Sequence, residues 1–462
     1  MGKKVAILGG GISGLSLAWY LQQLDLDLEI TLVEKQPRLG GWIETKEKGG
    51  FLFEAGPRSF RPSKSLVLLD LIEELGLIGH LIVASKTASK RYLYRGGELL
   101  PLPQSPFSLF SSPLTRGMLG AMLREWFIPP SSQEDETIYD FAKRRFNLKV
   151  AKFLFDPLTS GIYAGDIRNL SIKSCFPILH EYEQKKGSIL KGIMGGMRSK
   201  MQSRKNPFLR YGFSRASLFS MRSGIEHIVS EFEKKLNINF ELNTGVERIR
   251  KVPDKVFIDT SSGSIETDHV FCALPLKEAA RVLTDFDSET FSYLNEMKTA
   301  TLVVVNLGYD TDVLSHDGFG YLVPSGENQE VLGMVFDSNI YPIQNRSKEQ
   351  TRLSVMIGGA HLPEVRKFTK EECLKIALQA AKNHLKIDAE PVVSFVNMAT
   401  DAIPQFEVGH YKRVQDLFKE VRLKYPQLDL AGNYLEGVSV ASCVERSKKI
   451  AQEWKVKSLS RM

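Results

Sequence analysis

Residues 5–24 read "VAILGGGISGLSLAWYLQQL". Val5 to Leu8 is an unbroken apolar run, the pattern of a parallel strand covered on both faces. The turn after it, Gly9-Gly10-Gly11-Ile12-Ser13-Gly14, is a GxGxxG with glycines at 9, 11 and 14. Gly9 permits the tight turn, Gly11 lets a pyrophosphate approach the backbone, and Gly14 lets helix and strand pack closely. The following helix sets Leu17, Ala18, Leu21 and Leu24 on one face. Its free N–H groups and dipole favour an anion beside Ile12 and Ser13. "EITLVEK", residues 29–35, predicts the next strand. Glu34 closes it 20 residues beyond Gly14, where a carboxylate would grip a ribose hydroxyl. Strand, glycine turn, helix, strand and acid together predict a Rossmann-like dinucleotide-binding unit in an α/β protein.

Three other stretches extend this unit. "KQPRLGGWIET", residues 35–45, places Lys35 and Arg38 before a second glycine pair, Gly40 and Gly41, followed by Trp42. "LDLAGNYLEGVSVASCVERSKKIA", residues 428–451, reads as strand, Gly432, loop, Gly437 and helix. Such a loop turns backbone amides at Val438, Ser439 and Val440 toward a ligand, with the helix dipole behind them. Val440, Val444, Ala451 and Trp454 form that helix's apolar face. "FEAGPRSFRP", residues 53–62, joins a rigid Gly56-Pro57 turn to Glu54, Arg58, Ser59 and Arg61, and neither helical nor strand periodicity explains it.

The rest of the chain bounds the answer. It has 462 residues, 43% of them hydrophobic, enough for more than one domain. The longest apolar run, "TATLVVVNLGY", is a buried strand, so no transmembrane helix is expected. The N-terminus runs straight into a strand, without signal-peptide architecture. Cys175, Cys272, Cys373 and Cys443 are scattered and predict buried reduced thiols, not a metal site. A net charge of +7 does not imply nucleic acid. Lys185 to Arg215 contains no Asp or Glu and interleaves cations with Ile189, Leu190, Ile193, Met194, Met197 and Met201. That composition fits either a solvated loop or a surface arm meeting anionic lipid. Helices are expected over 66–78 (stopped by Gly79), most of 114–180, 224–236, 369–385 and 439–454. Strands are expected in 90–106, in "INFELNT", "KVFIDTSSG" and "SIETDHVFCALP", and through 300–358.

The second glycine pair and the last loop together resemble the extended signature of the flavin amine oxidase superfamily. More specific pieces lie in order along the chain: "FEAGPRSFRP", "RYLYRGGELLPLP", "SGIYAGDIRNLSIKSCFP", "GFGYLVPS", "LGMVFDS", "MIGGA" and "ERSKKIA". These resemble the oxygen-dependent protoporphyrinogen/coproporphyrinogen oxidase family. The resemblance implies a discontinuous FAD-binding domain (1–85, 213–275 and 405–462). It also implies a mixed-sheet substrate domain (86–92 and 276–404) and a helical, membrane-facing domain (93–212). It implies FAD as cofactor, held by Gly9, Gly10, Gly11, Ile12, Ser13, Gly14, Glu34, Lys35, Arg38, Gly40, Gly41 and Trp42. Gly56, Pro57, Arg58 and Ser59 lie on the flavin, Val246 at the adenine, and Gly432, Gly437, Val438, Ser439 and Val440 at the far end. Arg58 is the expected charged group at the reacting face. Arg91 pairs with a substrate propionate, Phe319, Leu322 and Met356 make apolar contacts to a tetrapyrrole, and Gly161 a close backbone contact.

The implied reaction removes six electrons and six protons from protoporphyrinogen IX, with dioxygen reduced to hydrogen peroxide. It requires no metal, triad or nucleophile. His180 and His361 read as ordinary satisfied or exposed histidines rather than bases. The expected partners are the porphyrinogen, dioxygen and the inner face of the cell membrane, without nucleic acid. Hand-over to the next haem-pathway enzyme, a homodimer and a cytoplasmic, peripheral location belong to the same expectation. Coproporphyrinogen III remains open as substrate, as do an amine or carotenoid substrate and a flavin-free carrier of the same fold. Cys443 lies beyond the last glycine loop, which disfavours a covalent-flavin amine oxidase.

Overall fold

The computed structural model describes residues 2–62, 65–103, 119–202, 218–252 and 255–459. At its centre is a five-stranded parallel sheet in the order Leu428–Leu430, His269–Cys272, Lys3–Leu8, Leu28–Val33, Asn239–Glu241. The apolar run of the first strand is split between two cores. Val5 and Ile7 face one, with the helices Ile12–Gln22, Leu66–Glu74, Glu226–Lys235 and Val440–Leu459. Ala6 and Leu8 face the other, with the helices Leu276–Phe286 and His410–Lys424. A strand buried on both faces needs this continuous apolarity.

A second sheet has seven strands in the order Val393–Pro404, Thr299–Tyr309, Thr351–Gly358, Val331–Val335, Gly320–Leu322, Tyr92–Arg95, Glu98–Pro101. All its pairs are antiparallel except Gly320–Leu322 with Tyr92–Arg95. One face is sealed by the helix Lys370–Leu385, against which Val303, Val305, Leu307, Leu353, Val355 and Ile357 pack. Thr369 and Glu372 start that helix with a reciprocal capping box. Alternation sends Leu302, Val304, Asn306, Ser354 and Met356 to the opposite face.

The helical region contains a continuous helical run from Leu148 to Tyr163 with a π-helical turn at Ala151–Phe155. Pro157 lies just beyond that turn and has no N–H to continue the α-helical ladder, which accounts for the widened turn. Three fully buried charges organise the neighbouring helices. Arg145 pairs with Glu125 and lies 3.6 Å from Glu183. Glu125 also accepts from Ser188 Oγ (2.7 Å) and from the Ile189 N–H (2.8 Å), fixing the start of the helix Ile189–Gln202. These bonds and the Arg145 charge hold the Glu125 carboxyl below its usual range against the opposing effect of burial. Removing one partner of such a pair strands a buried charge and costs about 3–5 kcal/mol.

Several local expectations need correction. The helix expected over 66–78 ends at Glu74, and Gly76, at φ +73°, rather than Gly79, turns the chain. Leu24 lies beyond the first helix, which is buried from Ser13 to Leu21 and so has no single apolar stripe. "SIETDHVFCALP" is two strands in different sheets: Gly263–Thr267 joins an antiparallel ribbon with Val246–Val252 and Lys255–Thr260, while His269–Cys272 joins the parallel sheet. The edge strand Glu98–Pro101 extends the seven-stranded sheet past residue 92, and residues 276–297 pack on the five-stranded sheet. The basic stretch from Lys185 is helical from Ile189 to Gln202 rather than a loop; its remainder, 203–215, lies outside the described residues.

Candidate cofactor groove and substrate face

The carboxyl ends of the parallel strands converge on one crevice, the usual ligand position in such sheets. Gly9, Glu34, Ala273 and Ala431 each follow one of these strands. Gly9 N–H donates to the Val33 carbonyl (2.8 Å), Ala273 N–H to Leu8 (2.8 Å) and Ala431 N–H to Cys272 (2.8 Å). Any Cβ on Gly14 would collide with the Gly9 carbonyl oxygen, so that position enforces the close crossing of turn and helix. Gly11 is the opposite case: a Cβ there meets nothing within 4 Å. The open space lies at the N-terminus of the first helix, where the leading N–H groups have no intrahelical partner.

The second glycine pair closes over this site. Gly40 forms a parallel bridge with Gly11, and its N–H donates to the Gly10 carbonyl (2.9 Å). Arg38 braces this arm. Its guanidinium donates to the carbonyls of Leu39 (3.0 Å), Ile43 (3.2 Å) and Gly41 (2.8 Å) and so stiffens the arm. Lys35 pairs with Glu278 at 3.2 Å, and Trp42 is exposed. Glu34 accepts from Gly10 N–H through Oε2 and from Gln36 N–H through Oε1, both at 2.8 Å, which orients the carboxylate and leaves further lone pairs for a hydroxyl. The segment leading to Val246 runs beside it, with Thr244 N–H on the Glu34 carbonyl at 2.9 Å.

The last glycine loop completes the crevice. Ser439 Oγ accepts from Ser442 N–H (3.1 Å) and caps the final helix, and Ser447 Oγ, two turns into that helix, donates to the Ser13 carbonyl (2.8 Å), tying the final helix to the start of the first. Asn433 reaches across to the Ala402 carbonyl at 3.0 Å. All four cysteines are buried and unpaired, and burial pushes the Cys443 thiol up to about 11. Among the described residues no group of three or more His, Cys, Asp or Glu is placed to hold a metal ion.

The turn at residues 54–59 joins the two sheets. The buried Glu54 carboxyl accepts from Ile225 N–H and Thr45 Oγ1, both at 2.9 Å. Burial pushes it up to about 7, against the opposing pull of those bonds and of Arg58. The Glu54 carbonyl takes Asn306 Nδ2 (3.2 Å) and the Ala55 carbonyl takes Asn397 Nδ2 (2.9 Å), both from the seven-stranded sheet. Arg58 Nη1 donates to both oxygens of Asp337 (3.1 and 3.3 Å), while Nη2 is buried with no partner. The open space at Gly11, the free helix end, the oriented Glu34 and this orphaned donor fit a bound flavin dinucleotide.

Of the expected substrate residues, Leu322 and Met356 lie on the face of the seven-stranded sheet that lacks the helix, whereas Phe319 precedes its strand and packs with Ile82, Ala88, Ile340 and Tyr341. Leu322, Gly333 and Met356 are register partners across three strands. Gly161 abuts them: a Cβ there would stand 2.8 Å from Leu322 Cδ2. Phe319 N–H bonds the Lys90 carbonyl (2.8 Å), and the Arg91 guanidinium lies over the Phe319 ring at 4.9 Å. Arg91 is half-buried and has no acidic partner among the described residues. Burial, with the like charge of Arg61, lowers its proton affinity. Ser354, two residues before Met356 on the same face, bonds Asp337 and so links this row to Arg58. His361 is exposed and His180 half-buried on the helix Pro177–Lys186. Asp337, Ser354, Asn306 and Asn397 were not singled out from sequence; "LGMVFDS" contains Asp337, but nothing local marks its partner.

A parallel dinucleotide sheet tied through the Gly56 turn to a second, mixed sheet is the architecture of FAD-dependent oxidoreductases of the amine oxidase fold. Residues 12–453 match the flavin-containing amine oxidoreductase family, and the chain belongs to it; it is an FAD-dependent oxidoreductase. It is 33% identical over 472 residues to human protoporphyrinogen oxidase, covering 98% of each chain. It is 29% identical over 472 residues to coproporphyrinogen III oxidase of Bacillus subtilis, covering 96% of each. The crystal structure of a putative protoporphyrinogen oxidase from Exiguobacterium sp. 255-15 superposes with a TM-score of 0.84 at 25% identity over 99% of both chains.

Proposed function

We propose that the chain oxidises protoporphyrinogen IX to protoporphyrin IX, with three dioxygen molecules taking six electrons and six protons to give three hydrogen peroxide. The observation that carries this reading is the half-buried Arg91, stacked on Phe319 with no counter-ion among the described residues, beside the apolar row Leu322, Gly333 and Met356. An apolar slot with one cationic edge suits a macrocycle bearing carboxylates on one side. A guanidinium can hold a carboxylate in a bidentate fork at any working pH. FAD supplies the two-electron acceptor when bound; the protein's part is to seat the ring against it and exclude water. Gly161 lets its helix pack directly against the Leu322 side chain of the slot, and in this reading the Arg58 turn faces the cofactor.

Coproporphyrinogen III is the second reading, favoured by the similarity to the Bacillus subtilis enzyme. It carries more carboxylates, and Arg61, whose charge acts on Arg91, adds a second cation at that edge. Aerobic turnover of both porphyrinogens, with peroxide measured alongside, separates the readings. We expect the higher kcat/KM with protoporphyrinogen and about three peroxides per porphyrin. Preference for coproporphyrinogen would reassign the substrate, and turnover of neither would remove the reading.

The helical region is the proposed membrane contact. Leu123 (74% exposed) and Phe127 (83% exposed) project from it, and Ile178, Ile193 and Met194 are exposed nearby. Lys191 sits 5.2 Å over Trp126. Apolar side chains fringed by cations suit the interface of an anionic bilayer. Among the described residues no helix is long and apolar enough to cross a membrane. A peripheral position at the inner face of the cell membrane, with product hand-over there, follows as part of this proposal.

A further inference from the structure

Arg58 and Asp337 are 279 residues apart in sequence, and their side chains are only 10% and 14% exposed. Asp337 opens a short helical turn, Asp337–Ile340, directly after the strand that carries Gly333. Its Oδ2 also lies 2.6 Å from Ser354 Oγ, which lies 2.6 Å from Asn306 Oδ1. The single Ser354 proton serves one of these acceptors at a time. Asn306 in turn donates to the Glu54 carbonyl, and Ser220 Oγ donates to the Arg58 carbonyl at 2.8 Å. Thus both the backbone and the guanidinium of Arg58 are held, and Nη2 alone is left buried and unpaired. Leaving a buried donor unpaired is unfavourable, so its position calls for an acceptor that binds there.

We propose that Asp337, supported by Ser354, is a positioning residue for Arg58: it fixes the guanidinium so that Nη2 is presented to the bound flavin, and it balances the guanidinium charge beside the ring. The proposal rests on the flavin placement above and not on the identity of the porphyrinogen. It makes a residue of the substrate sheet part of the cofactor's electrostatic surroundings. Asp337→Asn keeps the shape of the side chain and removes its charge, leaving Arg58 uncompensated. Asp337→Glu keeps the charge.

The test reads the flavin rather than turnover. Purified Asp337→Asn should show a shifted visible flavin spectrum and a more positive reduction potential. Its FAD dissociation constant should rise about tenfold or more, the size expected for one charge-assisted hydrogen bond. Asp337→Glu should restore most of both, and Ser354→Ala should move the spectrum in the same direction by less. A wild-type spectrum, potential and FAD affinity in Asp337→Asn would overturn the proposal. If that variant does not accumulate, the same unchanged readings in Ser354→Ala would overturn it. Should all porphyrinogen turnover prove absent while these shifts appear, the substrate reading fails and this one stands.

Discussion

Gly11 and Gly40 face each other across a parallel backbone bridge that closes the second glycine arm over the first. A Cβ on the adjoining Gly41 would stand 3.2 Å from the Gly11 Cα. The two glycine motifs, 29 residues apart in the numbering, are therefore one site.

That arrangement separates two substitutions that sequence alone treats alike. Gly11→Val points into open space, so it should fold with near-wild-type thermal stability yet purify without FAD, because the side chain occupies the pyrophosphate position. Gly14→Ala meets the Gly9 carbonyl and should destabilise the fold by about 1–3 kcal/mol. Flavin absorbance per protein and melting temperature distinguish them. A Gly11→Val protein with stoichiometric FAD would contradict the placement.

Glu54 should make stability fall as pH rises. Its ordinary value is 4.5 and burial raises it to about 7. Between those values the unfolded chain has lost the proton and the folded chain keeps it. The stability contributed is therefore full below about pH 4.5, declines by about 1.4 kcal/mol per unit as pH rises, and levels off above about 7. Glu54→Gln should flatten this component, so that melting temperatures at pH 5 and pH 8 lie closer together than in the wild type. Unchanged pH dependence would mean that the carboxyl ionises freely in the fold.

The glycine turn was legible because its requirements are local: a strand before it, a helix after it, an acid at the next strand end. The last helix and its buried Val440, Val444, Ala451 and Trp454 were legible from periodicity. Leu322 and Met356 were singled out only through the resemblance, since both look like core until the register that aligns them with Gly333 is known. The Asp337, Ser354 and Asn306 network was not legible, because with Arg58 it joins residues 17 to 279 positions apart that only strand register and the turn at 54–59 bring together. The break in "SIETDHVFCALP" was hidden because both halves are good strand formers, and Thr267–Asp268 gives no glycine or proline to mark the change of sheet. The bonds from Arg38 to three carbonyls of its own glycine arm were not legible either, because they depend on how that arm folds back.

Lipid contact should be electrostatic as well as apolar. The protein should float with anionic vesicles at low salt, release as salt rises, and bind neutral vesicles weakly. Replacing Leu123 and Phe127 together by serine should lower binding to anionic vesicles by about tenfold or more, given roughly 1.5–3 kcal/mol for burying each large apolar side chain. Equal binding to neutral and anionic vesicles at low salt would remove the charge component.

The central claim is that Arg91 and the row beside it receive a carboxylate-bearing macrocycle. The most direct measurement is steady-state kinetics of Arg91→Ala with protoporphyrinogen IX, alongside its flavin spectrum. Arg91 lies in none of the glycine loops, so flavin content and spectrum should match the wild type. Loss of a charge-assisted hydrogen bond, about 1.5–3 kcal/mol, should raise KM by roughly ten- to a hundredfold. Arg91→Lys should recover only part of this, since an ammonium cannot form the fork. A wild-type KM in Arg91→Ala, with flavin intact, would contradict the account and move the carboxylate edge elsewhere.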